Sequence, residues 1–310
     1  MRLYHEAGLD PALLQLLSGR GETVGAALTA HPGLDGVAFT GGTETAWAIN
    51  RTLAARHGPI VPFIAETGGL NAMFVDTTAL REQVIDDVIL SAFGTAGQRC
   101  SALRLLFLPH ETADRIVEGL VGAMQALNIG DPADPAVDVG PVIDEDARGK
   151  LQAHLQRLQA DATMLHACPD PPGDGVFFGP VLAEIRSATF LQQEVFGPIL
   201  HVVRYDPDRL EEAAAPLAAT RYGLTLGVHS RIEAFAERVR RAVPAGNCYV
   251  NRSIIGAVVG VQPFGGEGLS GTGPKAGGPD SLTRYAVERA VSVNIAAQGG
   301  DPALLNLGEG

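Results

Sequence analysis

The sequence predicts an α/β protein built on a mostly parallel sheet, and three observations carry that reading. Short apolar runs rich in β-branched residues alternate with longer amphipathic stretches. Glycine and proline clusters punctuate the joins between them. The 310 residues, 46% of them hydrophobic, suffice for two domains at about 100–200 residues each, and a chain of this length buries about three quarters of its unfolded surface.

The elements follow in order. Residues 36–40 (GVAFT) read as a buried strand, after which Gly41 and Gly42 lead into a helix over about 43–56. Residues 60–65 make the next strand. Over 82–93, Val84, Val88, Ile89 and Phe93 share roughly one helical face, with Gly94 and Gly97 ending the helix. A strand resumes over 103–108, so Cys100 falls in a short connection. An Asp- and Pro-rich loop follows Asp131, then a helix over about 144–159 and a second breaker cluster over 168–180. Residues 199–205, 224–229 and 247–251 are further strands. Between the last two, Ile232, Phe235, Ala236 and Val239 recur at helical spacing over 231–242. The glycine-dense run 262–279 predicts turns or a close-approach loop, because ordering glycine costs the most backbone entropy. Residues 296–310 read as a polar tail.

Charge and composition exclude several functions. With 23 Lys+Arg against 35 Asp+Glu the net charge is −12, unsuited to phosphate backbones or anionic lipid, so neither nucleic acid nor membrane is an expected partner. No basic leader with a long apolar run, and no stretch near ~18 apolar residues, is present. Cys100, Cys168 and Cys248 lie far apart without a CxxC pair, which points to a reducing cytoplasm. The eight histidines show neither HxH nor HExxH spacing, so no metal site is expected.

Two segments carry candidate chemistry. In Gly97-Gln98-Arg99-Cys100-Ser101 a lone cysteine sits between a helix end and a strand, as a nucleophile or as inert core. In Ala65-Glu66-Thr67-Gly68-Gly69 a carboxylate ends an apolar strand, either functional or solvated at the strand's end.

Together with Gln193-Glu194-Val195-Phe196-Gly197-Pro198, these segments resemble the aldehyde dehydrogenase superfamily in order and spacing. FTGGTE from Phe39, PAGNCYVNR from Pro244 and QPFGGEGLSGTGPKAGGP from Gln262 extend the resemblance over almost the entire chain. AETGGLNAM and TAGQRCSALR look like the glutamate γ-semialdehyde (1-pyrroline-5-carboxylate) dehydrogenase branch, and are similar to the dehydrogenase part of bifunctional proline utilization A proteins.

That resemblance implies a partial Rossmann-type cofactor domain over 1–67, a complete α/β catalytic domain over 68–269, a return to the cofactor domain with an oligomerisation strand over 270–295, and the tail. It implies Cys100 as nucleophile, forming a thioester after hydride passes to NAD, and Glu66 as general base. The Cys100 backbone N–H is a candidate oxyanion donor. Contacts to NAD fall to Gly42 and Thr43 at a helix start, Gly21 and Gly25 at a strand-to-helix turn, Thr67, Glu194 on the ribose, and Phe196. Many relatives carry serine where this chain has Gly42. The substrate, a small aldehyde with a carboxylate, falls to Ser101, Gly256, Ala257 and Phe264. The segment 284–294 resembles the family's subunit-pairing strand, implying a homo-oligomer, and a proline dehydrogenase domain is the implied partner in the parent chain.

The family's early strands, its PWNFP-like asparagine segment and its ribose-gripping lysine have no counterpart here. The expectation is a fragment with an exposed strand edge and poor solubility. Two alternatives stand beside the dehydrogenase: a non-catalytic remnant that binds partners or substrate, and a cysteine-dependent acyl hydrolase working without NAD.

Overall fold

The apolar runs assemble into a seven-stranded sheet flanked by helices. The computed structural model describes residues 1–171, 174–258 and 260–294. The strands are β1 (Val37–Thr40), β2 (Phe63–Glu66), β3 (Ala72–Val75), β4 (Leu105–Pro109), β5 (Thr163–Ala167), β6 (Val181–Glu184), β7 (Ile199–Tyr205), β8 (Tyr222–Gly223), β9 (Thr225–His229), β10 (Asn247–Val250) and β11 (Glu267–Gly268). The α-helices are α1 (Arg2–Glu6), α2 (Ala26–Ala30), α3 (Thr43–Ala54), α4 (Arg81–Phe93), α5 (His110–Gln125), α6 (Glu145–Asp161), α7 (Leu210–Ala219) and α8 (Glu233–Ala242).

The large sheet runs in the order β10-β9-β3-β4-β7-β6-β5, and every pairing is parallel except β5 with β6. β3 and β4, in its middle, are buried at every position, as strands covered on both faces must be. Phe74 of β3 stacks on Phe107 of β4 with ring centroids 4.1 Å apart, and the Tyr205 hydroxyl on β7 donates to the Val75 carbonyl at 2.7 Å. Against this sheet α5 lays Ala113, Ile116, Leu120 and Met124, a stripe at spacings of three and four. At the start of α6 the Asp144 carboxylate accepts from the Ala147 N–H at 2.8 Å, a side-chain cap that fixes where the helix begins.

β1 and β2 form a separate two-stranded parallel sheet with Thr40 opposite Glu66, and Ala38 and Thr40 are exposed. β2 begins at Phe63, not at Ile60, which stands fully exposed: Pro62 has no amide for a ladder, although its carbonyl accepts from Val37. Residues 270–272 return to β2, where Ser270 and Thr272 bond the backbones of Thr67 and Ala65.

Three further expectations change. Ile232 precedes α8 and is 49% exposed, so the buried face of that helix rests on Phe235 and Val239. No strand precedes Gly21 and Gly25 among the described residues; they bound a single π-helical turn that runs straight into α2. Residues 286–294 form no strand within this single chain. The tail 296–310 lies outside the described residues. Among those residues no helix is long and apolar enough to cross a membrane, and no three His, Cys, Asp or Glu side chains converge as a metal would require.

Candidate active site

The loop that carries Cys100 is strained. After α4 ends at Phe93, Thr95, Ala96 and Gly97 all turn left-handed, with φ of 58°, 52° and 64°. Such a conformation costs a non-glycine residue about 1–2 kcal/mol, so the surroundings must enforce it. Gly97 is the one of the three that only glycine can fill, since a Cβ there would run into the Gly197 carbonyl. The Arg99 Nε–H donates to Thr95 Oγ1 at 3.0 Å, and the Asn71 amide donates to the carbonyls of Cys100 and Ala102 at 2.6 and 2.9 Å. These bonds hold Cys100 half-buried in the turn between α4 and β4.

Burial pushes the Cys100 thiol up, and the Glu194 carboxylate pushes it further. The backbone amides of Ser101 and Cys100, which face the sulfur, pull it down, while Glu66 raises it again. Ser101 is buried beside it, its carbonyl accepting from Thr225 Oγ1 at 3.3 Å.

Glu66 closes β2 within the same site. The Gly266 N–H donates to its Oε2 at 2.8 Å, whereas Oε1 is buried without a hydrogen-bond partner. The glycine-dense run wraps this carboxylate: a Cβ on Gly271 would come within 2.6 and 2.7 Å of its two oxygens, and one on Gly265 within 3.2 Å. The predicted close-approach loop is thus a cradle for an acid. Burial raises the Glu66 carboxyl, against the lowering effect of the Gly266 and Gly273 amides and of Lys275. A carboxylate that is desolvated, with one oxygen free of partners, is a stronger base than one in water.

Glu194 lies across Gly68 so closely that a Cβ there would occupy its place, and its Oε1 accepts from Arg104 at 3.0 Å. The Phe196 ring, 45% exposed, stands 5.4 Å from the same guanidinium. The Thr67 hydroxyl is already engaged, donating to the Leu269 carbonyl at 2.5 Å. Gly42 and Thr43 open α3 at the same end of the small sheet as Glu66, whose carbonyl accepts from the Gly41 N–H at 3.2 Å. Gly256, at φ 75°, and Ala257 follow Ile254, whose N–H donates to Ser91 Oγ, so their loop sits on the end of α4 beside the loop that carries Cys100. Phe264 pairs through its backbone with Ala276, which folds the glycine run over Glu66. Gly21 and Gly25, in their exposed turn, make no contact with these groups that a hydrogen bond or close approach records.

Two residues missing from the sequence reading organise the site. Asn71 is 2% exposed and Arg104 not at all. Arg104 had a signal in the sequence: a cation inside the apolar run ALRLLF must find buried partners.

Comparison with known proteins places this geometry. A model described as the aldehyde dehydrogenase family matches residues 1–291. A bifunctional protein PutA from Klebsiella aerogenes is 50% identical over 306 residues, covering 94% of this chain and 23% of that protein. A crystal structure of bifunctional proline utilization A superposes with a TM-score of 0.92 at 58% identity, covering 96% of this chain and 30% of the other. A 1-pyrroline-5-carboxylate dehydrogenase from Thermus with bound NAD gives a TM-score of 0.85 at 36% identity, over 92% of this chain and 55% of that one. The chain therefore spans about a quarter of the length of the bifunctional relatives it matches.

Proposed function

Because this chain belongs to the aldehyde dehydrogenase family, we propose that it serves the NAD-dependent oxidation of L-glutamate γ-semialdehyde to L-glutamate, the second step of proline catabolism. The observation that carries the reading is the pairing of half-buried Cys100 with a desolvated Glu66 carboxylate that keeps one oxygen free of partners.

Cys100 Sγ adds to the aldehyde carbon, and the Cys100 backbone N–H meets the resulting oxyanion. A nicotinamide held by Glu194, Phe196 and Thr67 would supply the hydride acceptor that this carbon needs. A thioester then remains on Cys100. Glu66 takes a proton from water, the hydroxide attacks the thioester carbon, and the carboxylate product departs as the thiolate is restored. Ser101 and the amides of Gly256 and Ala257 pair the substrate's own carboxylate, with Phe264 along its aliphatic part.

The residues present fit NAD in two respects. The N-terminal amides of α3 carry no side-chain cap, and nothing lies within 4 Å of where a Cβ of Gly42 would be, so Gly42 and Thr43 leave room for a pyrophosphate. Glu194 lies against Gly68 and would supply the acceptors that a nicotinamide ribose needs, with half-exposed Phe196 and Thr67 as its neighbours in the site. Gly21 and Gly25 would take the adenine side. In this reading residues 1–67 belong to the cofactor domain, 68–269 to the catalytic domain and 270–295 to a returning segment that pairs subunits in a homo-oligomer. The partner in the parent chain is a proline dehydrogenase domain.

The test mixes folded chain with NAD and the semialdehyde and follows absorbance of the reduced cofactor. Signal from the wild type and none from Cys100→Ala supports the reading; folded chain that gives none overturns it for this polypeptide. A second reading, thiol chemistry with impaired NAD binding, is favoured by apolar side chains exposed over residues 1–60: Leu3 at 74%, Tyr4 at 63% and Trp47 at 51%. Ester hydrolysis without NAD supports it, and calorimetric NAD affinity equal to that of a full-length relative counts against it.

A further inference from the structure

Arg104 stands immediately before β4 with its side chain wholly buried. A buried guanidinium is costly unless its donors are matched; here Nε has no partner, and the matches of Nη1 and Nη2 lie in two separate loops. One arm, Nη1, donates to the carbonyls of Gly97 and Gly197 at 2.8 and 3.0 Å. The other, Nη2, donates to the Arg99 carbonyl at 3.2 Å and to Glu194 Oε1 at 3.0 Å. The fork therefore ties the strained loop before Cys100 to the loop carrying Glu194.

Its root is fixed as firmly. The Arg104 N–H donates to the Asn71 carbonyl at 2.9 Å, and the Arg104 carbonyl accepts from both the backbone N–H and Nδ1 of His201. His201 is buried and meets His154 at 2.9 Å through its far nitrogen. A residue anchored at its backbone and matched at four acceptors cannot shift without moving both loops.

We propose that Arg104 is a positioning residue for Cys100: it fixes the carbonyls of Gly97 and Arg99 and opposes the Glu194 charge that faces the thiol. The proposal rests on reading Cys100 as the nucleophile, but its test needs neither aldehyde nor NAD, so the two fail separately. In support, Glu194 stands second only to burial in raising the Cys100 thiol.

The experiment is the pH profile of iodoacetamide alkylation, followed at Cys100 by mass spectrometry because Cys168 and Cys248 are also free thiols. Arg104→Met is expected to move the midpoint up by about one pH unit, a roughly tenfold loss of rate at neutral pH. Arg104→Met with Glu194→Gln, lacking both charges, returns the midpoint toward wild type. An unchanged midpoint in Arg104→Met, or a double variant no different from the single, overturns the proposal. Should Arg104→Met fail to fold, Glu194→Gln and Arg104→Lys decide. Glu194→Gln is expected to lower the midpoint, and Arg104→Lys to keep it while lowering the plateau rate, as an ammonium cannot span both loops. Wild-type midpoint in the first together with wild-type plateau in the second overturns the proposal.

Discussion

Asn71 donates through its Nδ2 to the carbonyl oxygen of Cys100 at 2.6 Å, so one buried amide anchors the backbone of that residue. The same nitrogen reaches the Ala102 carbonyl, and Oδ1 accepts from the Thr225 N–H at 3.1 Å. Both sides of the Cys100 turn thereby hang on β9. Asn71→Ala orphans two carbonyls and one amide in the interior, and each unsatisfied buried group costs about 1–3 kcal/mol. Destabilisation of about 2–4 kcal/mol by urea titration is expected, together with slower alkylation of Cys100. Unaltered alkylation in the folded variant refutes the placement.

Glu66 gives a pH dependence whose sign differs between stability and activity. Its folded carboxyl is raised above 4.5, chiefly by burial, so the folded state keeps the proton to higher pH than the unfolded chain does. The associated stability is present below 4.5 and is lost as pH rises through the raised value. Proton abstraction runs the other way, since only the carboxylate is a base. Ester turnover is expected to fall on the acid side with a limb above the ordinary carboxylate range, and Lys275→Met, which deletes an opposing charge, moves that limb higher. Glu66→Gln removes the limb and slows turnover by about 10²–10⁴. A limb that persists in Glu66→Gln assigns it to another group.

The strands that the sequence revealed best are those with long continuous burial. Ile199–Tyr205 was legible end to end because only a covered strand supports such an apolar run. Ala72–Val75 escaped because four residues carry no period to read, although it occupies the middle of the sheet. Cys100 and Glu66 stood out as reactive residue types beside small residues, Glu194 only through the family resemblance, and the structure brings all three together. Asn71 passed unread because its partners are carbonyls and an amide from segments far away in sequence, and Arg104, although flagged by its place in an apolar run, gave no local sign of which loops it joins. The left-handed turn at Thr95 was equally silent, since tertiary bonds impose it against the preference of a β-branched residue.

Acid sensitivity follows from three histidines, His201 and His154 behind Arg104 and His229 beside Asp87. Burial, with the neighbouring His154, pushes His201 down to about 3, and burial pushes His154 and His229 down to about 4. All three are neutral when folded but gain protons near 6.5 when unfolded, so stability is held above 6.5 and lost as pH falls toward those lowered values. For fully buried His201 the loss between pH 6.5 and 5 is on the order of 2 kcal/mol, from about 1.36 kcal/mol per unit. Urea midpoints at pH 7 and 5 check this. His201→Gln should flatten the slope, and an unchanged slope removes His201 as its source.

Thr95 separates stability from reactivity. Its φ of 58° costs about 1–2 kcal/mol, while its hydroxyl accepts from Arg99 Nε at 3.0 Å. Thr95→Gly relieves the strain but loses that bond and adds freedom to the unfolded chain, which offsets much of the gain. The net change is expected to fall between zero and about 1 kcal/mol of stabilisation. Cys100, one bond of support poorer, should alkylate more slowly in the same variant. If alkylation stays at the wild-type rate while stability rises, the strained turn contributes nothing to the placement of the thiol, and Asn71 and Arg104 alone hold it.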